Sequence, residues 1–322
     1  MKRKTAVCVK PEFAGCSLLD FVARRFTYRS REEWLRELEA GRFLLNEAGP
    51  ALPTAQLAAG DRLCYLMPEL EEPWVERRFT VLYEDDDLLA VDKPAPLPCH
   101  PGGRFFRHTL WALLKEQYGL ANPSLVNRLD RETSGIVLVA KNKKAARRCC
   151  RQFADHLVLK RYRVVVEGEF PQSPLQAEGW LDLDPFSAVR KKVRFYPRQG
   201  AEAVPVGAAA CRTSFRRLHY ENGISFLEAL PLTGRCHQIR ATLCGLGFPV
   251  VGDKLYGVDE QLFLRFQKDC LTASDHQRLR MNRQALHAES LSLTHPADGR
   301  PLSFFAPLPA AFRSLLAGGG VM

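Results

Sequence analysis

Val126-Asn-Arg-Leu-Asp-Arg-Glu-Thr-Ser-Gly-Ile-Val-Leu-Val-Ala140 changes character halfway along. Asn127 to Gly135 is polar and closes on a glycine, the residue that takes a positive φ most readily. Ile136 to Ala140 is a short apolar, β-branched run, which predicts a buried strand. Asp130 is therefore expected on a polar loop held by the start of a core strand. Functional side chains often stand on such loops because the scaffold fixes them. Arg128 and Arg131 flank it, and in an extended backbone Arg128 and Asp130 share a face. A guanidinium about 4 Å from a carboxylate attracts it by about 4 kcal/mol at an effective dielectric of about 20, before desolvation. Such an Asp stays ionised, which suits a nucleophile better than a general acid. The ordinary role of an Asp in this setting is to accept backbone hydrogen bonds in a turn.

Two further stretches stand out. Lys160-Arg-Tyr-Arg-Val-Val-Val-Glu-Gly168 reads as a strand with Tyr162 early in it. Leu227 to Gly257 begins as a strand, turns at Thr233-Gly234, and continues into a helix expected over Cys236 to Leu246 with Thr233 as its cap. On that helix Cys236 and Arg240 share a face at i,i+4 and His237 points elsewhere. Gly252-Asp-Lys-Leu-Tyr-Gly257 follows as a loop. Upstream, Phe79 to Tyr83 and Leu88 to Val91 are strands around an acidic turn, and Asp92 to Pro101 is proline-rich and stiff. A helix is expected over Thr109 to Tyr118. Residues 258 to 282 read as a charged helical segment, and Leu286 to Pro296 with Arg300 to Pro307 as a hairpin around Asp298-Gly299.

Arg-Leu-Asp-x-x-Thr-Ser-Gly before an apolar strand resembles the catalytic motif of the RluA-type pseudouridine synthases. Lys160-x-Tyr-x-Val-x-Val-x-Gly168 resembles that family's second motif, and the stretch through Arg240 to Gly257 its third. The opening at Asp85 to Gly103 and the closing hairpin are similar as well, so the resemblance runs from Phe79 to Phe312. It departs at Asn127, where the family usually has His. The resemblance implies an α+β fold with a mixed, mostly antiparallel central sheet, flanking helices and a catalytic cleft. It implies conversion of uridine in RNA to pseudouridine, with Asp130 as catalytic carboxylate, Tyr162 against the uracil and as candidate acceptor of the C5 proton, and Arg240 paired with the Asp. Arg128, Arg131, Thr133, Ser134, Arg235 and His237 are expected to support substrate or RNA. Neither cofactor nor metal is implied, and the partner is RNA, ribosomal or transfer.

Before Phe79 the chain reads as a compact α/β module. Ser17 caps one helix; Ser30-Arg-Glu-Glu33 is a capping box for a second, which carries Trp34, Leu35 and Leu38 on one face. Phe43 to Asn46 and Arg62 to Met67 read as strands. With Arg24, Arg25, Arg29, Arg31, Arg36 and Arg42 this resembles an S4-like RNA-binding module. The acidic Glu69-Leu-Glu-Glu-Pro-Trp74 connector sets the expected boundary: 1–72 for the module, 73–322 for the catalytic domain.

The 322 residues are 46% hydrophobic and 25% charged, ordinary for a globular protein, with a net charge of +10 that favours phosphate-bearing partners. Lys141 to Phe153 is a basic helix-like stretch, and Lys143, Lys144 and Arg147 on it are candidates to face phosphates. No apolar run is long enough to span a bilayer, and no membrane partner is expected. The start of the chain lacks a signal-peptide core, and the 10 cysteines show no Cys-x-x-Cys spacing, so reduced thiols, a cytoplasmic location and a monomer are expected. Cys236, His237 and Cys244 match no zinc spacing. Two other readings compete. A non-catalytic RNA-binding or ribosome-assembly factor would keep the basic surface without needing Asp130, Tyr162 and Arg240 together. A hydrolase with an Asp nucleophile would need a second carboxylate, and Glu132 beside Arg131 reads better as a loop salt bridge.

Overall fold

The structure, a computed structural model, describes residues 4–27, 29–66, 71–199 and 204–317. It divides into two compact units, Met1–Glu71 and Glu72–Met322. In the first, β1 (Lys4–Cys8), α1 (Leu18–Arg25), α2 (Arg31–Glu39), β2 (Phe43–Leu45) and β3 (Arg62–Leu66) form a three-stranded antiparallel sheet in the order β1-β3-β2 with two helices. Ser17 accepts from the Asp20 amide at the head of α1, and Ser30 and Glu33 form a reciprocal capping box on α2. Both helices bury one stripe, so that Phe21, Trp34, Leu38, Phe43 and Tyr65 meet in a single core. Met67, Glu69 and Leu70, part of the expected strand and connector, lie outside the described residues.

The second unit is built on one large sheet. Its elements are β4 (Thr80–Glu84), β5 (Leu88–Lys93), α3 (Leu110–Tyr118), β6 (Ser124–Leu125), β7 (Ser134–Ala140), α4 (Lys143–Ala154), β8 (Leu159–Glu167), β9 (Leu175–Leu183), β10 (Val193–Pro197), β11 (Ala209–Glu221), β12 (Ile224–Pro231), α5 (Gln238–Gly245), α6 (Gln261–Gln267), α7 (Ala273–Leu279), β13 (Leu286–Thr294), β14 (Pro301–Phe305) and α8 (Ala310–Leu316). Strand order is β10-β9-β11-β12-β8-β13-β7-β5-β4, with β14 beside β13 and β6 beside β7. Among the described residues only β13 and β7 run parallel; the other pairings are antiparallel. This is the mixed, mostly antiparallel α+β architecture expected from the sequence.

Strand β7 is buried at every position, because it lies inside the sheet beside β5 and β13 and α3 covers one face and α4 the other. Val137 and Val139 pack with Leu113 and Leu114 of α3; Ile136 and Leu138 pack with Ala145 and Cys149 of α4. A strand that deep gives the loop before it a fixed end. Asn127, where the resembled family has His, ties that loop down: its Nδ2 donates to the Ile136 carbonyl at 3.0 Å and its Oδ1 accepts the Leu138 amide at 2.8 Å. The amide side chain thus stands in for a strand neighbour.

The expected helix after Thr233 differs: it begins at Gln238, not Cys236, and Thr233 does not cap it. His237 takes the N-cap position with φ 54°. Gln238 folds its own side chain back over the turn, and its Oε1 accepts the Arg235 amide at 2.9 Å and the Thr233 hydroxyl at 2.8 Å. That replaces a conventional cap and lets the turn rotate His237 inward.

Candidate active site

Asp130 sits at the mouth of β7, half-buried, in a turn closed by the Thr133 amide on the Asp130 carbonyl. The loop is clamped from below. Lys93, fully buried, donates to the carbonyls of Pro94 and Leu97 at 2.8 Å and lies 3.5 Å from that of Arg131, while the Leu97 amide donates to Arg131. Burial brings the Lys93 ammonium down to about 8. On the strand side Gly135 has φ 111°, and a Cβ there would stand 2.2 Å from the Ala288 carbonyl oxygen. Glycine is what allows β7 and β13 to approach at the foot of the Asp130 loop.

The guanidinium that holds Asp130 comes from neither flanking arginine. It is Arg240, from α5, whose Nη1 donates to Asp130 Oδ2 at 2.7 Å. Arg240 is itself aimed by Asp253, fully buried, which takes its Nε at 2.6 Å and Nη2 at 2.8 Å in a fork. Asp253 Oδ1 also accepts the amides of Leu255 and Tyr256 at 2.9 Å, so the carboxylate is fixed by its own loop. Burial works against both carboxylates, yet the Arg240 charge and its hydrogen bonds hold them below the ordinary carboxylate value. Gln284 supports Asp130 further at 3.4 Å. Asp253 belongs to the stretch read as a loop beside the site; Gln284 carried no sequence signal.

His237 faces the site, contrary to the helical expectation. Its Nδ1 lies 2.9 Å from the Tyr256 hydroxyl, and its Nε2 3.9 Å from Asp130 Oδ1. The Tyr256 oxygen also accepts the Val193 amide, and the tautomer in which the Tyr256 hydroxyl donates to Nδ1 turns Nε2–H towards Asp130. Burial lowers the imidazole below its usual pKa despite Asp130, so it is neutral near pH 7 and Arg240 carries the charge. Asp130 thus has one oxygen anchored and the other without a hydrogen bond among the described residues.

Arg128, Asp130, Lys160, Tyr162, Arg235, His237 and Arg240 line a single cleft of about 540 Å³. The Tyr162 hydroxyl has no hydrogen-bond partner among the described residues. Burial, reinforced by the Asp130 charge, raises the phenol well above its ordinary value. Lys160, which opens the second motif without an expected role there, grips the cleft rim by donating to the carbonyls of Leu232 and Thr233 at 3.2 and 3.0 Å.

Other expected site residues are placed differently. Ser134 is buried and bonds His287 at 2.9 Å. Thr133 reaches the cleft floor, but its hydroxyl is held by Gln284. Ser134 is scaffold because β7 begins two residues earlier than the apolar run suggested, whereas Thr133 gives the cleft a hydroxyl already tied to Gln284. Arg131 turns away from Asp130: it pairs with Glu132 at 2.8 Å and lies over the rings of Phe105 and Phe266 at 5.4 and 4.8 Å. Glu132 also takes Lys254 at 2.8 Å, a loop salt bridge as anticipated. Lys143, Lys144 and Arg147 stand exposed on α4, opposite buried Ala145 and Cys149, and line no part of the cleft.

An ionised carboxylate, a buried guanidinium holding it and an aromatic ring meet in one basic cleft, which is the candidate active site. The profile of the family described as RNA pseudouridylate synthase matches residues 87–244. The mitochondrial tRNA pseudouridine(32) synthase of Saccharomyces cerevisiae is 34% identical over 78% of this chain, which spans 52% of that protein. An uncharacterised RNA pseudouridine synthase of Synechocystis is 32% identical over 91% of the chain and 94% of its own length. The ribosomal large subunit pseudouridine synthase D of Neisseria meningitidis is 28% identical over 98% of the chain and 82% of its own length. Among solved structures, human RNA pseudouridylate synthase domain containing 1 superposes with a TM-score of 0.57 at 25% identity, covering 76% of this chain and 89% of that one. This chain belongs to the RNA pseudouridine synthase family.

Proposed function

We propose that this protein isomerises uridine to pseudouridine in structured transfer or ribosomal RNA, with Asp130 as the catalytic carboxylate. The observation that carries the reading is the Arg240–Asp130 contact of 2.7 Å inside the cleft that also holds Tyr162. Charge from Arg240 keeps Asp130 ionised at any physiological pH, and its unanchored Oδ1 is available to the sugar C1′ of an extruded nucleotide. As Oδ1 bonds to C1′ the N1–C1′ bond breaks and the uracil leaves with the bonding electrons; it turns within the cleft, C5 bonds to C1′ as the C1′–Asp130 bond breaks and frees the carboxylate, and the C5 proton passes to solvent while N1 takes one up. Tyr162 offers the ring on which the uracil stacks. Its raised pKa makes it a poor resting base, so its part is to hold the uracil while it turns. Extrusion of the target base costs a few kcal/mol, recovered from pocket and backbone contacts.

Basic surface supplies those backbone contacts. Lys143, Lys144 and Arg147 have no ion pair among the described residues and are read as a phosphate-facing ridge. The first unit is read as an S4-like RNA contact carried by exposed Arg24, Arg25 and Arg36. Arg29 and Arg42 are bound to Glu37 at 2.9 and 2.7 Å, and Arg31 to Asp20, so they contribute less. The cleft is lined by residues of one chain, and all ten cysteines stand as thiols, which suits a reducing compartment. Among the described residues no helix is long and apolar enough to cross a membrane.

The test is tritium release from RNA labelled at uridine C5. The wild type releases it; Asp130→Asn, with an unchanged melting profile, does not. Undiminished release by the variant overturns the assignment of Asp130.

A further inference from the structure

A second, open pocket borders the catalytic cleft across the turn that follows β12. Pro231 faces the cleft, Leu232 faces the second cavity, and Thr233 borders both. The turn between them is fixed from each side. Lys160 holds its carbonyls from the cleft, while on the other side the Arg212 amide donates to Thr233 Oγ1 at 3.0 Å. Arg235, which lines the cleft, crosses the rim and donates through Nε to the Ala210 carbonyl of the second cavity at 3.1 Å.

Half-buried Trp180 forms one wall. In the β9–β11 register it stands opposite Ala210, so on that side a methyl group alone confronts the indole. Beside it Arg198 and Arg212, largely exposed, share a single carboxylate, Glu178, each at 3.0 Å. Arg212 also gives Nε and Nη2 to the Gln176 side-chain oxygen; the two guanidinium groups against one carboxylate still leave a net positive charge, and Arg198 keeps unused N–H donors, next to an aromatic side chain. An aromatic platform with arginines beside it is what an unpaired nucleotide requires, the ring for the base and the cations for its phosphates.

We propose that the Trp180 cavity is a second nucleotide site, which takes an unpaired nucleotide next to the target uridine in the same RNA strand. This rests on the synthase reading of the cleft. When the target base is extruded its neighbour loses a stacking partner, and Trp180 replaces it; the strand crosses the rigid Leu232–Thr233 turn past Arg235. The site therefore selects RNA whose target is flanked by a nucleotide free to leave the helix.

The test compares Trp180→Ala, Trp180→Phe and the Arg198→Gln/Arg212→Gln double variant in two assays. In tritium release from C5-labelled bulk RNA, Trp180→Ala raises KM about tenfold with kcat within about twofold, and Trp180→Phe, which keeps a stacking ring, stays near wild type. In the second assay oligouridylate quenches the wild-type tryptophan fluorescence, and that quenching is lost in Trp180→Phe. An unchanged KM in folded Trp180→Ala, or full quenching in Trp180→Phe, overturns the proposal. Should Trp180→Ala not fold, the double variant, altered at two exposed side chains, gives the same KM test. A wild type that releases no tritium from any RNA would instead sink the synthase reading, and the fluorescence assay would still judge the cavity.

Discussion

Arg240 divides its guanidinium between two carboxylates: Nε and Nη2 go to Asp253 and Nη1 goes to Asp130. One of these carboxylates faces the cleft, and the other is sealed in the fold beneath. The planar fork makes the sharing possible; an ammonium would point at one partner or hover between them. Because Asp253 is fixed by the Leu255 and Tyr256 amides, the position of Asp130 is set by a loop more than a hundred residues away in sequence. Gly252 lets that loop settle, since a Cβ there would stand 2.1 Å from the Arg283 carbonyl oxygen.

Asp253→Asn keeps the shape of the side chain and removes the charge that aims Arg240. Misplacing a catalytic group by about 1 Å is enough to lose about a hundredfold in rate. The expected outcome is a kcat lower by about that factor, with KM for RNA little changed, and a lower melting temperature because a buried Arg is left half-paired. Single-turnover tritium release and a thermal scan measure the two effects.

Gly135→Ala places a methyl group against the Ala288 carbonyl at a φ that alanine rarely adopts. Strain and overpacking add, and the expected loss of stability is about 3 kcal/mol or more, read from urea unfolding. A variant of near wild-type stability would show that β7 and β13 can part there without cost.

His287 is buried, with Nδ1 accepting from Ser134 and Nε2 donating to the Ala306 carbonyl at 3.2 Å. Burial brings its pKa down to about 4. The unfolded chain protonates this imidazole first, so its contribution is fully present above about pH 6.5 and is lost as pH falls towards 4, a change of about 3 kcal/mol. His237 and His100, also lowered by burial, act in the same direction. Unfolding free energy measured across this window should fall with acid in the wild type and fall less steeply in His287→Gln.

Neutralising Lys143, Lys144 and Arg147 together should weaken RNA binding and flatten its dependence on salt by up to about three units of slope, while turnover at saturating RNA is kept. Filter binding over a salt series is the measurement. An unchanged slope would mean that α4 faces away from the RNA.

The sequence by itself determined the local parts. The polar-to-apolar change at Gly135 located the Asp130 loop and the buried strand after it, because periodicity and chain chemistry act within a few residues. Ser17 and Ser30 marked their helix starts for the same reason. Arg240 was legible through its motif, and Asp253 only as part of a neighbouring loop. Tertiary structure decided what depends on distance in space. It took Arg131 away from Asp130 onto Phe105 and Phe266, and closed Thr133 and Ser134 into the core through Gln284 and His287. It also rotated His237 into the cleft through a left-handed turn that helical periodicity does not contain. Burial likewise set the protonation of Tyr162 and His237. A pKa follows the dielectric and the charges around a group, and those come from strands that meet only when the sheet has formed.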